Sequence, residues 1–205
     1  MSIKMVLFDI GGVLIRYDQA LTHNHLVDRG VPADRAGKFY EGDAYRAFAR
    51  GWIESWEFAS WLRAELGVDW SDSELQAAHD IQLYEVDPGV VGIVREIQAG
   101  KAVMVGLLTD TNVWQTRREK EMMPPLGKFH AEVRSYEIRR CKRDPGAFSM
   151  ITSWLGYRVG QRQGEILLVD DKPDICQLAE AAGFRAIRFE SAEQLRGGLV
   201  EHGLL

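Results

Sequence analysis

The segment Met5-Val-Leu-Phe-Asp9, with Gly11 and Gly12 just behind it, constrains the fold more than any other stretch. A short, unbroken apolar run has no polar face, so as a strand it must be covered on both sides, as in the middle of a parallel α/β sheet. Its carboxylate falls where the strand ends, and the glycines leave the backbone free to turn there. Runs of the same kind recur at residues 103–109, 131–135, 166–169 and 185–189. Helix-spaced apolar patterns lie at 89–98, 113–123, 145–155, 173–182 and 192–200, several opened by a proline that suits a first turn. Strands alternating with helices predict a Rossmann-like parallel sheet flanked by helices, an α/β fold with right-handed crossovers and its ligand at the carboxyl ends of the strands. Asp9, Thr109 and Asp170 all fall at such ends.

Residues 16–87 show no convincing strand pattern. Apolar residues at helical spacing in 34–48, 53–66 and 73–83, with Ser55 and Ser71 as candidate caps, predict an inserted small α-helical cap domain. The expected division is therefore a catalytic core of residues 1–15 and 88–205 and a helical cap of residues 16–87, hinged near 15–17 and 86–89. A length of 205 residues, 46% of them hydrophobic, suits one domain with such an insert. The insert is aromatic-rich, with Tyr40, Tyr45, Phe48, Trp52, Trp56, Phe58 and Trp61, which could stack on a sugar or aryl group; the spacing of four between Phe48, Trp52 and Trp56 favours one buried helix face instead. His23 and His25 lack acidic partners at ligand spacing and read as surface residues.

A net charge of −5 argues against nucleic acid as a partner. The one basic concentration, Arg134, Arg139, Arg140, Lys142 and Arg143, is too short to follow a polyanion and reads as a solvated loop serving at most one small anion. No run approaches the roughly 18 apolar residues of a membrane span. Cys141 and Cys176 have neither metal-binding nor framework spacing, so a reducing, cytoplasmic setting is expected.

A carboxylate at a strand end beside glycines can approach a phosphorus atom closely enough to form an acyl phosphate, splitting hydrolysis into two easier steps. Asp170 and Asp171, behind another strand, are hard oxygen ligands of the kind Mg²⁺ takes. FDIGGVL, LLTDTN, Lys142 and LVDDKPD, in that order, resemble the four motifs of the haloacid dehalogenase superfamily. The chain looks like the capped phosphatase branch, which includes bacterial sugar-phosphate phosphatases and the phosphatase domain of soluble epoxide hydrolase. The resemblance implies Asp9 as nucleophile and Lys142 as the cation set against it. It implies Thr109, Asp110 and Asn112 around the phosphate, and Mg²⁺ held by Asp9, the Gly11 carbonyl, Asp170 and Asp171, with Asp174 bracing the acidic pair.

Four positions depart from the family pattern. Gly11 stands where most of these phosphatases carry a second aspartate, the general acid and base, whose contribution is typically about 10² to 10⁴ in rate. Asp110 replaces a usual Asn, Arg139 a usual Gly, and Arg143 a usual Pro. The expected activity is Mg²⁺-dependent hydrolysis of a small phosphomonoester, a sugar phosphate or similar phosphorylated metabolite, through an aspartyl-phosphate, by a monomer or homodimer. Leaving groups that need little protonation, sugar 1-phosphates or aryl phosphates, suit the glycine best. Two other readings stay open: a catalytically weak binding or regulatory protein that keeps the fold, and a 2-haloacid dehalogenase, against which the Asp170–Asp171 pair speaks.

Overall fold

The structure, a computed structural model, describes residues 2–100, 102–123, 126 and 128–205. The chain enters through β1 (Met5–Phe8) and a short β2 (Ile15–Tyr17). It then runs through α1 (Gln19–Asp28), α2 (Ala33–Ala36), α3 (Gly42–Ala49), α4 (Ser55–Leu66) and α5 (Asp72–Asp80) and returns along β3 (Leu83–Val86). Alternating elements follow: α6 (Pro88–Gly100), β4 (Met104–Thr109), α7 (Val113–Met122), β5 (Ala131–Arg134), α8 (Ser135–Ile138), α9 (Ala147–Val159), β6 (Ile166–Asp170), α10 (Pro173–Ala181), β7 (Arg185–Arg188) and α11 (Ala192–Glu201).

Five strands form one parallel sheet in the order β5-β4-β1-β6-β7, the α/β arrangement the apolar runs predict. Strand β1 is central, pairing Leu7 with Gly106 on one side and with Leu168 on the other. Its four residues are wholly buried because successive side chains feed opposite cores. Val6 and Phe8 pack with Val90, Val94 and Ile97 of α6 and with Leu195 and Leu199 of α11. Met5 and Leu7 pack with Ile151 and Leu155 of α9 and with Ile175 and Ala179 of α10. Helices α1 to α5 enclose a third core around Leu26, Phe39, Phe58, Leu62 and Leu75, into which α7 inserts Trp114.

The region between β1 and α6 departs from expectation at its ends. It holds strands after all: β2 and β3 pair antiparallel, Ile15 opposite Val86, and the Asp87 N–H donates to the Leu14 carbonyl at 2.9 Å. Runs of three and four residues are too short for alternation to register, so the stretches read as hinges are a hydrogen-bonded ribbon. Residues 34–48 are not one helix either. They form α2, a 3-10 turn (Gly37–Tyr40) and α3, broken where Glu41 becomes extended. Ser71 caps α5 in a reciprocal pairing with Glu74, whereas α4 is capped by Glu54 and Ser55 is already its first residue. No helix among the described residues is long and apolar enough to cross a membrane.

Candidate active site

Because β1, β4 and β6 are adjacent and parallel, their carboxyl ends open at one place, between strands whose connections diverge to opposite sides. Asp9 follows β1 directly; its N–H donates to the Val169 carbonyl at 2.9 Å, and its Oδ1 accepts from the Ile10 N–H at 2.7 Å. Lys142 arrives on the loop after α8. Its backbone N–H donates to Asp110 Oδ1 at 2.9 Å, which fixes the loop against the end of β4. The buried ammonium lies 3.0 Å from Asp9 Oδ2 and 2.7 Å from Asp170 Oδ2, bridging the two carboxylates. Burial pushes the Asp9 carboxyl up to about 7, against the pull of Lys142 and with the help of the Asp170 charge. For Lys142, burial acts downward but the charges of Asp9, Asp170 and Asp110 outweigh it, so the ammonium is held above its ordinary value and stays charged.

Donor atoms of Asp9, Asp170 and Asp171 all lie within 4.8 Å of one another. Asp170 Oδ1 accepts from the Lys172 N–H at 2.9 Å, and Lys172 Nζ pairs with Asp171 Oδ2. Asp171 Oδ1 is buried and has no hydrogen-bond partner among the described residues. A buried, unsatisfied carboxylate oxygen inside a carboxylate cluster is the arrangement a hard divalent cation completes, so the residues fit Mg²⁺. The chain approaches this cluster on glycine. Gly12 has φ +84°, and a Cβ there would stand 2.6 Å from the Asp171 carboxyl.

These groups open onto a cavity of about 230 Å³ lined also by Gly11, Thr109 and Asp110. Thr109 and Asp110 therefore share the cavity with Asp9 and Lys142. Asn112 does not: it is buried, accepts from the Gln115 N–H to cap α7, and turns its amide nitrogen to His79 Nε2 at 3.3 Å. Arg143 reaches the cavity, but Asp174 braces it in a two-bond pair and makes no contact with the acidic pair it was expected to support. The basic run is not a uniformly solvated loop. Arg134 is buried, bonded to Glu119 at 2.9 Å and to Glu132 at 2.9 Å, and Glu119 in turn holds Thr111 behind the site.

Of the further lining residues, only Tyr45 was singled out by the sequence, among the cap aromatics. Tyr17, Gln19, Tyr45, Gln82 and Gln115 face the cavity from β2, α1, α3, the turn before β3, and α7. Tyr17 carried a signal only if residues 15–17 were read as a strand. His79, wholly buried, touches both Asn112 and the Gln82 amide and had none. The aromatic spacing misleads in part: Phe48 is buried, but Trp52 and Trp56 are 60% and 64% exposed, because the chain leaves α3 before Trp52 and starts α4 on a new axis. Both cysteines are free thiols, and burial pushes Cys141 up to about 12 and Cys176 up to about 11, so neither is a ready nucleophile.

No protein-family model matches the chain, and no curated protein matches it by sequence. Solved structures do. A HAD-family enzyme of Bacteroides thetaiotaomicron, crystallised with magnesium and inorganic phosphate, superposes with a TM-score of 0.82 at 22% identity, over 92% of this chain and 95% of that one. A predicted HAD-like hydrolase from Porphyromonas gingivalis gives 0.78 at 18% identity over 98% of each chain. The L-2-haloacid dehalogenase of Xanthobacter autotrophicus gives 0.61 at 17% identity, over 99% of this chain and 84% of that one. With its parallel sheet and the carboxylates gathered at its centre, the protein has the fold of the haloacid dehalogenase superfamily.

Proposed function

We propose that the protein is a Mg²⁺-dependent phosphatase acting on a small phosphomonoester, a sugar phosphate or similar metabolite, through an aspartyl-phosphate. The observation that carries this reading is the convergence of Asp9, Asp170 and Asp171, together with a buried Asp171 Oδ1 that has no hydrogen-bond partner among the described residues. An acidic cluster of that kind supports metal-assisted phosphoryl transfer over dehalogenation, where attack on carbon calls for no cation. The magnesium and phosphate bound by the Bacteroides enzyme support the same reading.

Asp9 would attack phosphorus with its carboxylate Oδ2, Oδ1 being held by the Ile10 N–H, as the substrate's P–O bond breaks and its alcohol leaves; water would then cleave the aspartyl-phosphate to inorganic phosphate and free Asp9. Asp171, Asp170, Asp9 and the Gly11 carbonyl would hold Mg²⁺, which when bound supplies the positive charge that lets an anionic nucleophile meet an anionic phosphate. Lys142 neutralises charge on the transferred group, and Thr109 with the backbone beyond β4 orients its oxygens. Gly11 offers no proton to the leaving group, so sugar 1-phosphates and aryl phosphates should turn over faster than simple alkyl phosphates. The hydroxyls and amides of Tyr17, Tyr45, Gln82 and Gln115 suit a polyol, and a volume near 230 Å³ suits a small one. Helices α1 to α5, as a cap over the core, would limit access of bulk water.

The test is phosphate release from a panel of sugar, aryl and alkyl phosphates, with Mg²⁺ or with EDTA, for the wild type and Asp9→Asn. Turnover abolished by EDTA and by the substitution supports the proposal. A protein that binds Mg²⁺ but hydrolyses nothing in the panel replaces it with the binding-protein reading.

A further inference from the structure

A second cavity of about 510 Å³ is lined by α3, the turn that follows it and the loop that carries Lys142. It shares no lining residue with the catalytic cavity. Its apolar surface comes from Ala47, Pro145 and Trp52, whose indole is 60% exposed. The Arg50 guanidinium lies 5.4 Å from the centroid of the Trp52 ring and is itself held by both oxygens of Asp144, which leaves most of the indole exposed.

The charges in this cavity do not balance. Asp144 is taken by Arg50, and Asp43 pairs with Arg46 at 3.1 Å. Arg140 bonds only a neutral group, the Pro145 carbonyl, and Arg139 has no hydrogen-bond or ion-pair partner among the described residues. Two guanidinium charges are thus left over in a chain whose net charge is −5. Arg139 is also the one described non-glycine residue with positive φ, at 58°. It is the left-handed C-cap of α8, its N–H donating to the Ser135 carbonyl, a place glycine fills without the strain an arginine accepts.

We propose that this groove binds a nucleoside monophosphate, the base stacked on Trp52 and the phosphate held by Arg139 and Arg140. The ligand class follows from the two features together. An exposed indole beside apolar walls takes a planar ring. Two unpaired guanidinium groups take a dianionic phosphate through paired N–H···O bonds. Asp43 and Asp144 bound the groove, so a single compact anion fits and a polymer does not. The site is independent of the phosphatase reading.

Calorimetric titration of the full-length Asp9→Asn protein with adenosine monophosphate, adenosine and inorganic phosphate tests this, in EDTA and, as a second series, with Mg²⁺ to distinguish binding at the carboxylate cluster. The expected result is one nucleotide per chain in EDTA, at least tenfold tighter than adenosine or phosphate alone. Trp52→Ala and Arg139→Gly should each weaken it at least tenfold without lowering the thermal midpoint, glycine being suited to the backbone at 139. Absence of nucleotide binding, binding seen only with Mg²⁺, or binding indifferent to both substitutions overturns the proposal.

Discussion

Gly11 and Gly12 are neighbours in sequence, yet alanine should be tolerated at one and not at the other. At Gly12 the backbone φ is +84°, a region that costs an L-residue about 1–2 kcal/mol. The added Cβ would also stand 2.6 Å from the Asp171 carboxyl carbon, well inside contact distance. Asp171 must then retreat by about 1 Å to reach an ordinary carbon–carbon separation. At Gly11 the nearest atom to an added Cβ is Tyr17 Cδ1 at 3.5 Å, an ordinary contact. A cost near 2 kcal/mol in a protein of this size lowers the thermal midpoint by about 4–8 °C. Displacing a ligand carboxylate by about 1 Å should cost about 10²-fold in turnover. Thermal melts followed by circular dichroism in EDTA isolate the strain, and repeating them with Mg²⁺ reads the lost ligand as a smaller metal-induced rise. Phosphate release then reads the chemistry. If Gly12→Ala matches Gly11→Ala in both midpoint and rate, the close approach of the glycine loop to Asp171 has no functional weight and the assignment of that carboxylate fails.

Three further outcomes follow from the same geometry. Gly11→Asp, with room for its Cβ, should raise hydrolysis of alkyl phosphates by about 10-fold or more while changing aryl phosphates little, and equal effects on both would exclude a missing proton donor. Asp9 keeps its proton up to about 7 in the folded, metal-free protein, whereas the unfolded chain releases it near 4. The folded state therefore binds the extra proton between those values, and stability falls as pH rises through that window. Asp9→Asn should remove this loss, by at most about 4 kcal/mol at pH 8, seen in urea melts with EDTA, and parallel pH profiles for the two proteins would refute it. Glu119→Ala strips the buried Arg134 of its closest buried partner and frees Thr111; a loss of about 3–5 kcal/mol in urea denaturation is expected, and a loss below about 1 would contradict the network.

The sheet was legible because a strand covered on both faces must be apolar throughout, so Met5–Phe8 and Ile166–Val169 announce themselves within a few residues. The β2–β3 ribbon was not, since Ile15–Tyr17 and Leu83–Val86 each depend on the other, about seventy residues away, for their hydrogen bonds. The candidate site divides in the same way. Asp9, Thr109, Asp170 and Asp171 could be named because they stand at strand ends, and Lys142 only through the family resemblance; the fold gathers all five round one cavity. Asn112 was placed at the phosphate by its position in the motif, but local backbone chemistry claims it first, as the cap of α7.

What the sequence determined by itself is therefore the alternation of elements and the carboxylates at the ends of two strands, both consequences of what each short segment must bury. What only tertiary structure decided is which distant residues face one another. The strand order brings three carboxylates within 4.8 Å, and the break after α3 turns Trp52 outward beside Arg139. The exposure of a side chain depends on the neighbour covering its face, and that neighbour is supplied by the fold.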